Sequence, residues 1–424
     1  MKPHNNKNTN SLGEFIALMA MTMSLVALST DSMLPALDHI SISLGVSGSN
    51  ASQLVISFFF LGLAFGQIFY GPISDSVGRK PPLYAGYIIF ISGCLLSFFA
   101  QTFSMMLAGR VLQGLGAAAP RTVTLSLVRD QYSGKVMARI MSFVMTVFIL
   151  VPAVAPTMGQ GILAISGWRS IFIALLSLAA INILWLGGRQ KETLREEYRG
   201  EITGRWIGQA LKFYFSCKSA VGYTMIAGIL GGVFLGYLNT SRQIYQDIYG
   251  LGKLFPVFFA ITALSIGGAS LSNARMVMRF GMRSMALRAM QVMSLLSILM
   301  FVASIVTGGR PPLWLLMVYF IPTFFCIGIQ FGNLNALAMD PLGKIAGTGA
   351  AIVGFISTLV QFILGTIIGQ LFNDTLMPLI GGFVAMSLVS LAIMFYTKKY
   401  TEENPDEECN IQEKVLEGIS QTLE

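Results

Sequence analysis

Twelve stretches of this chain, each near the length needed to cross a bilayer as a helix, carry almost no charge. A hydrocarbon core roughly 30 Å thick takes about 20 apolar residues per helix. The stretches lie near 14-36, 51-71, 82-100, 104-127, 138-163, 168-187, 219-241, 254-274, 285-306, 313-338, 345-371 and 376-397. Of the 424 residues, 54% are hydrophobic and 11% charged, which leaves too little polar surface for a soluble domain. The expected fold is all-α and integral to a membrane, with twelve transmembrane helices.

Basic loops stay in the cytoplasm, so orientation follows from Lys and Arg. With both termini placed inside, 22 of the 28 fall on that side: Lys2, Lys7, Arg79, Lys80, Arg129, Lys135, Arg139, seven from Arg189 to Lys218, Arg275, Arg279, Arg283, Arg288, Lys344, Lys398, Lys399 and Lys414. Arg169, Arg242, Lys253 and Arg310 fall outside, and Arg110 and Arg121 within a helix. The net charge of +8 therefore reports topology, with no nucleic-acid patch in it. The first apolar run is too long for a cleaved signal peptide and reads as an anchor. Cys94, Cys217, Cys326 and Cys409 share no metal-like spacing, and no structural disulfide is expected of them.

Residues 188-218 differ in kind. Arg189, Lys191, Glu192, Arg195, Glu196, Glu197, Arg199, Glu201 and Arg205 form a polar connector that reads as a solvated linker. It separates an N-terminal six-helix bundle, 1-187, from a C-terminal one, 219-397, and 398-424 forms a short acidic tail on the cytoplasmic side. Gly78-Arg79-Lys80, after the second stretch, has an echo in Gly281-Met282-Arg283 after the eighth, an offset of 281 minus 78, or 203 residues. Two pseudo-symmetric halves around a central site are the architecture of secondary transporters.

The polar residues inside apolar helices carry the chemistry. An ionised carboxylate there costs at least ~2.5 kcal/mol by insertion scales, so Asp31 is expected to be paired or to hold a proton. It reads as a proton-coupling acid, or as a structural ion pair near the helix end. Arg110 is its natural partner: six residues down one helix and four up the other are depths of about 9 and 6 Å, so the two are expected to meet. Arginine stays charged. It would hold Asp31 ionised when close and release it to take a proton when the two are pulled apart.

Gln113, Tyr237, Asn239, Gln243, Gln330, Asn333 and Gln361 are further polar positions, each a helix-helix hydrogen bonder or a lining residue of a substrate cavity. The 30 Phe and 24 Met residues suit varied apolar substrates. His4 and His39 are the only histidines, and neither a metal set nor a nucleophile constellation appears, so no enzyme, metal or cofactor is expected. No phosphate-binding P-loop is present, which argues against direct ATP drive.

The run from Gly71 to Lys80 resembles the signature of the major facilitator superfamily between helices two and three, with Gly71, Asp75, Gly78, Arg79 and Lys80 at the matching places. Arg110-Val-Leu-Gln113-Gly114 resembles its helix-four signature, and Thr30-Asp31-Ser-Met-Leu-Pro35 the acidic first-helix motif of drug exporters. Asn273-Ala-Arg275-Met-Val-Met-Arg279-Phe-Gly281 resembles the segment after helix eight. Within the superfamily the chain resembles bacterial drug:proton antiporters of the Bcr/CflA type. The helix-five motif, usually Gly-Pro-x-x-Gly-Gly, reads Ala155-Pro156-Thr157-Met158-Gly159-Gln160, keeping Pro156 and Gly159.

The resemblance implies a proton-coupled multidrug efflux antiporter, monomeric, in the bacterial inner membrane. Its partners are a small-molecule substrate, protons and the lipid bilayer. It also implies that Asp75 latches an inside gate, with Arg129 as candidate partner and Asp130 competing for that arginine. A metabolite or siderophore transporter, possibly an importer, is the alternative on the same scaffold.

Overall fold

The computed structural model describes residues 11–403 apart from 47, 49, 133, 195 and 200–203. Lys2, His4, Lys7, Arg195, Glu201, Cys409, Lys414 and the tail beyond 403 lie outside the described residues. Within them the chain is helical, with short 3-10 and π turns and no strand. The helices are α1 (Leu12–Asp31), α2 (Leu37–Ser43), α3 (Leu54–Val77), α4 (Lys80–Phe98), α5 (Phe103–Gln131), α6 (Gly134–Ser166) and α7 (Arg169–Arg189). After the connector come α8 (Gly204–Ser216), α9 (Lys218–Arg242), α10 (Phe255–Phe280), α11 (Met282–Val306), α12 (Leu313–Met339), α13 (Ala346–Gln370) and α14 (Met377–Glu403).

Local chemistry sets several boundaries. The Ser11 hydroxyl accepts the Glu14 N–H at 3.2 Å and caps α1, and Thr102 does the same for α5 through the Met105 N–H at 3.2 Å. α3 stops at Gly78 and α10 at Gly281, at φ 104° and 78°, backbone that a side chain disfavours.

Ten helical segments among the described residues are long and apolar enough to cross a membrane. The other two expected windows, 104-127 and 138-163, coincide with α5 and α6. These helices have 29 and 33 residues, so they extend about 44 and 50 Å at 1.5 Å per residue. α5 is less apolar because it carries Arg110, Arg121, Arg129 and Asp130 beside a run of Gly and Ala. In α6 the described apolar part is Leu150–Ser166.

α5 packs between α3 and α4, α13 packs on α3 and α9, and α6 packs on α1 and α10. Small residues allow the closest approaches, as expected where helices gain little from apolar burial alone. A Cβ at Gly114 of α5 would lie 2.8 Å from the Leu63 nitrogen of α3. The connector departs from its expected solvated character. α8 forms inside it, burying Phe213 and Tyr214 while exposing Lys212 and Phe215.

Candidate functional site

Arg110 is fully buried in α5 and ties three helices together. Its Nη2 donates to the Ser29 carbonyl of α1 at 2.9 Å, its Nε to the Val55 carbonyl of α3 at 2.8 Å, and its Nη1 to Gln113 Oε1 at 2.6 Å. The Phe59 ring lies 4.8 Å from the guanidinium carbon. Gln113 in turn donates to Cys94 Sγ of α4 at 3.0 Å, so it acts as a helix-to-helix bond. A buried guanidinium requires acceptors, and these are carbonyl oxygens.

The expected pairing of Arg110 with Asp31 is therefore not formed. Asp31 is the last residue of α1, 4% exposed, and accepts from the Thr30 hydroxyl at 3.1 Å. Among the described residues no basic group lies within 4.0 Å of it. Arg110 does reach the level of the end of α1, but there the Ser29 carbonyl, near the helix terminus, takes the guanidinium instead of Asp31.

α6 braces the same turn. A Cβ at Gly159 would fall 2.8 Å from the Ser32 carbonyl carbon, so this glycine rests on the backbone immediately after Asp31. Ala155 and Pro156 are buried in the same helix, close to Gly159. Across from α1, Asp31 is near enough to Tyr237 of α9 for an electrostatic interaction. Tyr237 is bonded to the Thr262 hydroxyl at 2.7 Å and enclosed by Phe259, Phe320 and Phe324 at centroid distances of 5.8, 5.4 and 4.6 Å.

At the end where α3 meets α4, the signature residues form a charge chain. Arg79 is 6% exposed, so it does not extend to a headgroup layer. Its Nη1 donates to Asp75 at 2.5 Å and to Ser74 Oγ at 3.0 Å, and its Nε and Nη2 donate to Asp130 of α5 at 2.8 and 3.3 Å. Arg129 is exposed and forms no ion pair among the described residues, so the cation on Asp75 is Arg79. The Asp75 carboxylate also lies against Gly347 in the first turn of α13, and Gly71 faces Ala351 one turn on, with a built Cβ 3.0 Å from the alanine methyl. A helix N-terminus favours such a carboxylate.

Glu192 joins this network from the connector. Its carboxylate accepts the N–H groups of Arg79, Lys80, Thr193 and Leu194 at 2.8 to 3.0 Å. Burial pushes the carboxyl up, and the four donors outweigh it and hold the group below its ordinary value.

At the opposite end, helices before and after the connector are joined by amides. Gln53 Nε2 donates to Gln243 Oε1 at 2.6 Å, and Gln243 Nε2 to Asn50 Oδ1 at 3.0 Å. Asn50 donates to the Phe372 carbonyl at 2.7 Å. Asn239 donates to Ser57 Oγ and the Gly365 carbonyl at 3.0 and 3.1 Å. Arg242 pairs with Asp38 and, at 2.9 Å, with Asp247.

Of the remaining candidates, Asn333 exchanges amide bonds with Asn273 at 2.9 and 3.0 Å, and Gln361 lies against Gly231. Gln330 is fully buried, and neither of its amide atoms has a partner among the described residues. Sequence reading did not find Asn50, Gln53, Asp38 or the role of Glu192. The available signal for Glu192 was an acid set directly beside the α7 terminus among basic neighbours. For the amides there was none, because their partners lie far along the chain.

The family model described as Major Facilitator Superfamily matches residues 11–365. A Bacillus subtilis (strain 168) protein, "Uncharacterized MFS-type transporter YdgK", is 29% identical over 402 residues, covering 91% of this chain and 96% of its own. The "Bicyclomycin resistance protein homolog" of Haemophilus influenzae is 28% identical over 389 residues, with coverage of 91% and 96%. The crystal structure of the human organic anion transporter MFSD10 (TETRAN) superposes with a TM-score of 0.67 at 14% identity, covering 91% of this chain and all of that one, which is a likeness of fold.

Proposed function

The chain belongs to the major facilitator superfamily, and from that premise we propose that this multi-pass membrane transporter is a proton-coupled efflux antiporter for small molecules. In this reading α5 and α6 are spans as well, giving twelve helices in two six-helix halves with both termini in the cytoplasm of a bacterial inner membrane. The α3–α4 end is then the cytoplasmic gate, and the Asn50–Gln53–Gln243 end the periplasmic one.

The observation that carries the proposal is Asp31: a buried carboxylate with no cation beside it, at the end of a helix that Gly159 contacts directly. In a low-dielectric setting such a group is stable when it holds a proton. A substrate entering beside Tyr237, or a movement of α6 on α1, changes its surroundings and can release that proton. Arg110 holds the end of α1 in place during the cycle and has no part in the proton exchange.

Bicyclomycin is the first substrate to try, because the Haemophilus relative is named for resistance to it. Its addition to inside-out vesicles with an acidic lumen should release lumenal protons. Proton uptake alongside substrate in right-side-out vesicles would replace this reading with an importer.

A further inference from the structure

Glu192, half-buried near the start of the connector, does something its composition does not announce. Glu192 Oε1 accepts from Arg79 at 2.8 Å, Thr193 at 2.9 Å and Leu194 at 3.0 Å, and Oε2 accepts from Lys80 at 2.9 Å. Arg79 is the N-cap of α4 and makes no side-chain cap bond of its own. Lys80 opens the helix and Pro81 and Pro82 follow, so these two N–H groups are the first that α4 exposes. A carboxylate 113 residues away in sequence is the cap of this helix.

Gly78 is shaped to the same contact. Its φ is 104°, and a Cβ there would come 2.7 Å from Glu192 Oε2 and 2.9 Å from Cδ. The next connector residue, Thr193, donates to Asp130 Oδ2 at 3.0 Å, the oxygen that also accepts Arg79 Nε at 2.8 Å. The connector thus touches both the backbone of the 78–80 loop and the acid that orients its arginine.

We propose that Glu192 is a positioning residue of the α3–α4 gate: it clips the loop from the connector, so that Arg79 is presented to Asp75 and Asp130 together. Removing the clip frees the loop, and Asp75 loses the cation that fixes it against the start of α13. The naming of this end as a gate rests on the reading above. The clip itself can be tested without transport.

The experiment uses full-length protein in phosphatidylethanolamine and phosphatidylglycerol nanodiscs, with no substrate and no pH gradient. Amide exchange at Arg79 and Lys80 is followed by hydrogen–deuterium mass spectrometry in wild type, Glu192→Gln and Glu192→Ala. Glutamine keeps one acceptor oxygen and alanine none, so exchange should rise at least tenfold in Glu192→Ala and by less in Glu192→Gln, with peptides of α11 unchanged. Thr122→Cys, near Gly71 at the same end, should label several-fold faster in the Glu192→Ala background and at the parental rate with Glu197→Gln, a control in the connector.

Unchanged exchange at Arg79 and Lys80 in Glu192→Ala overturns the clip. Faster exchange with unchanged labelling of Thr122→Cys overturns its role at the gate. A wild-type protein that releases no lumenal protons on substrate addition would instead overturn the antiport reading and leave the clip standing.

Discussion

Arg110 and Ser29 meet where Arg110 and Asp31 were expected to: the guanidinium donates to the Ser29 carbonyl at 2.9 Å, two residues short of the acid. α1 ends at Asp31, and in its final turn the Leu28 and Thr30 carbonyls take the backbone N–H groups of Ser32 and Met33, which leaves the Ser29 carbonyl in need of a donor. Arg110 supplies one. The arginine is thereby a structural element of the α1–α3–α5 junction, and the acid is left without a cation.

Arg110→Lys keeps the charge and cannot reach Ser29, Val55 and Gln113 together. Bonds to a charged donor are worth about 1.5–3 kcal/mol each, so the loss of one or two should cost about 3 kcal/mol of stability. A thermal unfolding series in detergent checks this. A variant as stable as wild type but uncoupled would return Arg110 to the proton site.

Asp31→Asn should leave insertion and thermal stability near wild type, since the amide still accepts from Thr30. Uphill transport driven by a pH gradient should fall to background. Inside-out vesicles that still concentrate substrate at the wild-type rate would remove Asp31 from the coupling step.

Gly159→Ala forces a methyl onto the Ser32 backbone, where no flexible side chain can yield. Overpacking of this kind costs about 1–3 kcal/mol, and here it should separate α6 from the turn that holds Asp31. Proton leak through substrate-free vesicles should increase, while Gly161→Ala, whose Cβ would meet nothing within 4 Å, should match wild type.

Asp75→Asn removes the charge that Arg79 and the first turn of α13 share. Labelling of cytoplasmic-side cavity cysteines should rise and of periplasmic-side ones fall, and a shift of about 1.4 kcal/mol changes apparent affinity from one side tenfold. Transport lost with both labelling patterns intact would mean that Asp75 acts some other way. The mirror experiment at the far end is Arg242→Gln, which loses both Asp38 and Asp247 and should raise periplasmic labelling more than Asp38→Asn, which leaves the Asp247 pair in place.

The Glu192 carboxyl lies below its ordinary value in the folded protein. A group shifted in that direction stabilises the fold fully above its unfolded value, about 4.3, and loses that contribution as pH falls through the folded value. Protection of the Arg79 and Lys80 amides should therefore hold from neutral pH down to about 5, after correction for intrinsic exchange, and fail only in stronger acid. Loss of protection between pH 7 and 6 would point to a different titrating group.

Much of this protein follows from its sequence taken locally. The length of an apolar run fixes where a helix can cross a bilayer, and Ser11, Thr102, Gly78 and Gly281 mark helix ends through backbone chemistry within a few residues. The signature around Asp75 and Arg79 and the acid at Asp31 stand out because charges are rare in such helices. What a side chain in one helix meets in another depends on rotation about each axis, at about 100° per residue, and on tilt, neither of which composition encodes. Depth along α1 and α5 was legible and brought Arg110 to the end of α1, but direction around those axes decided for the Ser29 carbonyl over Asp31. The same holds for Arg79 in place of Arg129, for Gln243 with Gln53, and for Glu192, two of whose four donors, Arg79 and Lys80, reach it only when α7 returns the connector to the start of α4.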